Sequence, residues 1–251
     1  MKVPRRSPWR QCYWWMLTTA GSLLVGIVIA ATLAQISNFR ELFFSLNSAY
    51  DFALYRGLLF ASAGIIIGMT VGFGQWLLLH AWIRGAGRWI LVTTIGLGLG
   101  STVGQMVLSS ILMPCSPGTY VGVDRSVCFN IPLITLLYAL CGAIGGATIG
   151  IAQWVILRKR VRHAGWWIPA NLIGWATGVV LGGWGPRAIE NAFHIYIHCD
   201  FWPPLTDMFF VDHELGFPIM AIAIAVFTGP TLARLLDRTN DDESIPSVGQ
   251  I

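Results

Sequence analysis

The residues of this chain best suited to chemistry sit close together, ahead of its last apolar stretch. Glu190, His194 and His198 recur at intervals of four, followed by Cys199 and Asp200 and later by Asp212, His213 and Glu214. On a helix the first three share a face, because residues four apart stack on the same side. Two imidazoles and a carboxylate so placed form a zinc-ligand set, and His213 or Glu214 can supply a further ligand. Glu190, His194, His198 and His213 are therefore a candidate metal site. No recognised metalloenzyme motif such as H-E-x-x-H accompanies them. Phe193, Tyr196, Phe201 and Trp202 are interleaved with the cluster, as in an amphipathic segment lying on a membrane surface. Both readings remain open at this level.

Two further sets of residues stand out. Gln75 and Gln153 are amides inside otherwise apolar stretches, where hydrocarbon offers no hydrogen-bond partner. They predict either an interhelical hydrogen bond or a polar lining for a substrate or ion. Cys115 and Cys128 flank a short segment with Pro117 and Gly118, and an oxidising exterior would permit a disulfide there. Cys12 lies near the N-terminus, Cys141 falls in an apolar stretch, and Cys199 is left unpaired. No phosphate-cradling loop, dinucleotide fingerprint, serine nucleophile elbow or CxxC pair is present, so no catalytic residue is assigned.

The elements that must position these residues follow from charge. Only 11% of the 251 residues are charged and 55% are hydrophobic, which excludes an ordinary water-soluble domain. Burying a charge in hydrocarbon is costly, so spans appear as charge-free windows. Six such windows predict an all-α integral membrane protein with helices near 14–34, 57–80, 89–112, 132–157, 166–184 and 216–236. Residues 1–238 form one transmembrane domain, and 239–251 are a disordered, solvated tail. Arginine and lysine stay on the cytoplasmic side. The N-terminus, the turn with Arg84 and Arg88, the run Arg158–Arg162, and Arg234 with Arg238 all fall on one face. Both termini are then cytoplasmic, in a bacterial inner membrane or a thylakoid. A cleaved signal peptide ending near Thr32-Leu33-Ala34 is the alternative for the first stretch, although its apolar run is long for one. The net charge of +4 is accounted for by membrane flanks and gives nucleic-acid binding no support.

Shifting the chain by 78 positions superimposes its second and third spans on its fourth and fifth. Gly64, Gly68, Thr70 and Gly72 meet Gly142, Gly146, Thr148 and Gly150. Gln75-Trp76 and Leu79 meet Gln153-Trp154 and Leu157, and Trp89-Ile90 meets Trp167-Ile168. Gly96, Gly100 and Gly104 then meet Gly174, Gly178 and Gly182. Residues 57–112 and 132–190 are thus tandem helical hairpins, parallel repeats about an axis along the membrane normal. The remaining helices predict a circularly permuted third hairpin and a pseudo-threefold bundle. Ala221, Ala225 and Leu232 align with Gly146, Gly150 and Leu157. Trp14, Thr18, Thr19 and Gly21 align with Trp89, Thr93, Thr94 and Gly96. Trp76, Trp154, Trp89 and Trp167, like most of the 12 tryptophans, are expected in the interfacial belt.

The series G-x-x-x-G-x-x-x-G-x-x-Q-W-x-x-L, a basic turn, A-G-x-W-I and a second glycine series resembles a group of largely uncharacterised multi-pass membrane proteins of bacteria, particularly cyanobacteria and Chloroflexus-like phototrophs. The resemblance is good over residues 57–184 and implies a fold and a membrane location. No activity comes with it.

Three functions are compatible with these residues. The first is a non-enzymatic accessory or scaffold subunit, or a lipid- or pigment-contacting bundle, with lipids and other membrane subunits as partners. The second is a passive channel around the axis, using Gln75, Gln153 and the glycine faces. The third is a metal-binding membrane protein or enzyme at the Glu190/His194/His198 cluster. Zinc there, or a planar pigment against the glycines, are the cofactors considered.

Overall fold

The computed structural model describes residues 8–36, 49–80, 86–112, 131–193 and 216–242. They form six α-helices, named here α1 (Pro8–Ile36), α2 (Ala49–Leu79), α3 (Gly87–Leu112), α4 (Ile131–Leu157), α5 (Trp167–Phe193) and α6 (Gly216–Asp242). A single 3-10 turn, Ala164–Trp166, leads into α5. The structure is all-helical, and no strand occurs among the described residues.

Each helix packs against its neighbours in sequence, and α1 also packs against α6, so the six close into a ring. Five contain a stretch long and apolar enough to cross a membrane: Trp9–Leu33, Gly57–Leu79, Gly87–Val107, Thr135–Leu157 and Gly216–Leu235. Among the described residues α5 contributes no such stretch.

Several helices overrun the apolar windows. α2 starts at Ala49 rather than 57, α5 runs to Phe193 rather than 184, and α6 continues through Thr239–Asp242, part of the stretch expected to be a disordered tail. Hydropathy marks where a chain is apolar, whereas a helix ends where its backbone hydrogen bonding ends. Residues 243–251 lie outside the described residues.

The ring is sealed by glycines of two kinds. Within the α2/α3 pair, a Cβ on Gly64 would stand 3.1 Å from the Gly98 Cα, on Gly68 2.6 Å from the Thr94 Cα, and on Gly72 2.9 Å from the Ile90 Cα. Gly142, Gly146 and Gly150 of α4 make the same approaches to Ala176, Leu172 and Ile168 of α5. Between pairs, Gly96, Gly100 and Gly104 of α3 face Ile149, Gly145 and Cys141 of α4. Gly174, Gly178 and Gly182 of α5 face Phe227, Ile224 and Gly216 of α6. Without side chains the backbones approach closely and gain dispersion contacts, which drive helix association where the hydrophobic effect is absent. These faces are filled by neighbouring backbone, so a flat ligand has no room in those seams.

Exposure is inverted relative to a soluble bundle. Leu58, Ile65, Met69, Phe73 and Leu77 of α2 and Leu91, Ile95, Leu99, Val103 and Met106 of α3 point outward. Thr19, Gln75, Thr93, Gln105, Gln153, Asn171 and Thr228 are buried. Outward hydroxyls return their protons to their own helix, as Thr18 does to the Trp14 carbonyl at 2.7 Å and Thr32 to the Val28 carbonyl at 2.9 Å.

Candidate functional site

The interior of the ring holds a polar network built on three tryptophans. Trp15 of α1, Trp89 of α3 and Trp167 of α5 are each at most 1% exposed. Their rings meet edge-on or tilted, with centroids 6.4 Å apart for Trp15–Trp89, 5.7 Å for Trp15–Trp167 and 6.3 Å for Trp89–Trp167. Such geometry sets the positive edge of one ring against the negative face of the next. Around them pack Leu79, Leu157, Leu232, Ala86, Val161 and Ala164.

The indole N–H groups fix the layer above. Trp89 Nε1 donates to Gln75 Oε1 and Trp167 Nε1 to Gln153 Oε1, both at 2.8 Å, while Trp15 Nε1 reaches Thr228 Oγ1 at 3.3 Å. The amide nitrogens then reach sideways. Gln75 Nε2 donates to Thr19 Oγ1 at 3.3 Å, and Gln153 Nε2 to Thr93 Oγ1 at 2.9 Å and Gln75 Oε1 at 3.2 Å. Each glutamine therefore ties its own helix to the indole of the next helix in sequence and to a threonine of the helix on its other side.

The central cavity, about 10 Å³, lies in this layer and is lined by 12 residues that fall into four groups of three. One holds Gln75, Gln153 and Thr228, the next Thr19, Thr93 and Asn171. The apolar groups are Leu23, Leu97 and Trp175, and Val71, Ile149 and Ile224. That volume is about the least that admits one water molecule.

Gln75 and Gln153 come together and are hydrogen-bonded. Trp89 and Trp167 are fully buried, which corrects their assignment to the interfacial belt: each finds an amide acceptor inside the ring, and this satisfies the indole that a belt position would leave to water. The outward aromatics at this end are Trp9, Tyr13, Trp14 and Trp166, 82%, 54%, 46% and 66% exposed. Trp76 and Trp154 are half-buried, with the Arg158 guanidinium 4.9 Å over the Trp154 ring.

The alignment of α1 also moves by one residue. Trp14 is half exposed, whereas Trp15 meets Trp89 and Trp167. Gly26 lies against Thr70 and Ile67 just as Gly100 lies against Thr148 and Gly145. Trp15, Thr19, Leu23 and Gly26 have the same spacing as Trp89, Thr93, Leu97 and Gly100. The doublets Trp14-Trp15 and Thr18-Thr19 let both registers match, and only the longer run through Leu23 and Gly26 distinguishes them.

Cys12 and Cys141 are free. The side chain of Glu190, and His194, His198, His213, Cys115, Cys128 and Cys199 entirely, lie outside the described residues. Among the described residues no group of three or more His, Cys, Asp or Glu side chains is placed to hold a metal ion.

No protein-family model, curated protein or solved structure matches this chain.

Proposed function

We propose that this protein is a six-span integral membrane bundle of three hairpins, α2/α3, α4/α5 and a permuted α6/α1, serving as an accessory or scaffold subunit that meets lipid and other membrane helices through its outer face. The observation that carries the reading is the axis: three indoles in mutual contact, amides spent on indoles and hydroxyls, and space for about one water. A bundle so filled has its specificity in its own assembly and leaves its apolar exterior for partners. That exterior, rich in leucine, isoleucine, valine and methionine, is far larger than the apolar patches a water-soluble monomer shows.

The third hairpin is supported by the closed ring and by Trp15, Thr19, Leu23 and Gly26 taking the places of their counterparts. The basic residues Arg10, Arg88, Arg158, Lys159, Arg160, Arg162 and Arg234 flank the tryptophan cluster, so they share one end. By the retention of basic residues this end is cytoplasmic.

Purification from the native membrane in mild detergent tests the reading. The expected result is a complex with at least one other membrane protein; a bare monomer overturns it. The channel reading is tested separately in liposomes, where no flux of small solutes is expected.

A further inference from the structure

The polar layer runs around the axis in one direction and is broken at one place. Gln153 of α4 donates to Thr93 of α3, and Gln75 of α2 donates to Thr19 of α1. The corresponding donation from α6 to α5 would run from residue 228 to Asn171. Residue 228 is threonine, whose hydroxyl donates to the Ile224 carbonyl of its own helix at 2.9 Å and is too short to cross. Asn171 is 3% exposed, and its Nδ2 donates to the Trp167 carbonyl at 2.9 Å. With Nδ2 so engaged, Oδ1 has no protein donor among the described residues, and Asn171 is one of the residues lining the central cavity.

The geometry points to a site for one water molecule in that cavity, donating to Asn171 Oδ1 and standing where the Nε2 of a third glutamine would stand. A buried amide oxygen without a donor is costly, so the gap favours an occupant. The occupant must be small and uncharged, because every described lining group is neutral and the volume of about 10 Å³ is near the lower limit for a single water. Its remaining bonds are at hand. Thr19 and Thr93 accept from the glutamines, and neither returns its own proton to its helix as Thr18, Thr94 and Thr228 do. Their hydroxyls are therefore free to donate to the water, giving it about the three bonds usual for buried water. This inference rests on contacts inside the ring and holds whatever the outer face binds.

High-resolution crystal structures of the full chain grown in a lipidic phase test it, for the wild type and for Thr228→Gln and Asn171→Leu. The wild type should show one peak within hydrogen-bond distance of Asn171 Oδ1. Thr228→Gln should lose the peak, place its own amide there and raise the melting temperature by a few degrees; Asn171→Leu should also lose the peak. A wild-type cavity without density overturns the proposal, as does a peak that gives rubidium anomalous signal after exchange into rubidium salt. A peak unmoved in Thr228→Gln overturns it as well. Should either variant fail to fold, infrared spectra of the wild type in ordinary and oxygen-18 water decide: an isotope-shifted O–H band of a weakly bonded internal water is expected, and its absence counts against the site.

Discussion

In the α2/α3 and α4/α5 pairs a glutamine holds the buried indole at 2.8 Å, whereas in the α6/α1 pair a threonine holds it at 3.3 Å. The three tryptophans occupy like positions and pack on one another, so packing is shared while polar anchoring is not. The glutamine pairs also send an amide to a neighbouring pair, and the α6/α1 pair does not. Shape complementarity at the axis thus survives a change of hydrogen-bonding residue, provided the indole keeps one acceptor. The difference also separates what deleting a ring costs from what deleting its N–H costs.

Removing whole indoles should break the comparison most severely. Trp167→Ala and Trp89→Ala are expected to destabilise the bundle by about 3–5 kcal/mol, the range for deleting a large buried aromatic. Trp15→Ala should fall at the low end, since it loses the weaker anchor. Thermal unfolding in detergent measures this, and a larger loss at Trp15 would mean that the α6/α1 pair organises the axis.

Glycine offers a control inside a single hairpin. A Cβ on Gly146 would press on the backbone of Asn171 and stand 2.9 Å from the Leu172 Cα, while one on Gly145 has nothing within 4 Å. Gly146→Ala should cost about 1–3 kcal/mol by forcing α4 from α5, and Gly145→Ala less than about 0.5 kcal/mol. Equal effects in the same unfolding assay would remove close backbone contact as the cause.

Smaller changes sharpen the anchoring. Trp167→Phe leaves Gln153 Oε1 without its indole donor and should cost about 1–3 kcal/mol. Trp89→Phe should cost less, because Gln75 Oε1 still accepts from Gln153 Nε2. Trp15→Phe should cost least, its lost bond being the longest. The order, read from paired melting curves, matters more than the size; a reversed order would show that the indole bonds contribute little.

The smallest effect lies in the α4–α5 turn. His163 has φ 58°, in the left-handed region that a Cβ disfavours, and the corresponding position of the preceding hairpin in the sequence is Gly85. His163→Gly relieves about 1 kcal/mol of strain and gives back part of it in chain entropy. A stabilisation of about 0.5 kcal/mol is expected, and any loss would mean that the imidazole is engaged.

Much of the architecture is legible in the residues. Charge-free windows locate the helices, and glycines at every fourth position mark the faces that touch, because both signals are local and depend only on helical periodicity. Gln75 and Gln153 are also legible as a pair, since an amide in hydrocarbon needs a partner and the repeat offers an equivalent one. Thr19, Thr93, Asn171 and Thr228 carry no such mark. Threonine in an apolar helix ordinarily bonds its own backbone, as Thr94 does to the Ile90 carbonyl, and nothing in the residue type tells the two uses apart.

By itself, then, the sequence determined that this chain forms long apolar helices with glycine-faced contacts and two amides among them. Tertiary structure alone decided that Trp15 rather than Trp14 turns inward, and that Trp89 and Trp167 fill the axis while Trp9, Trp14 and Trp166 face out. The physical reason is rotation: turning a helix by one residue, about 100°, exchanges its inner and outer side chains. Where neighbouring residues are alike, only the fit of the closed ring selects the angle.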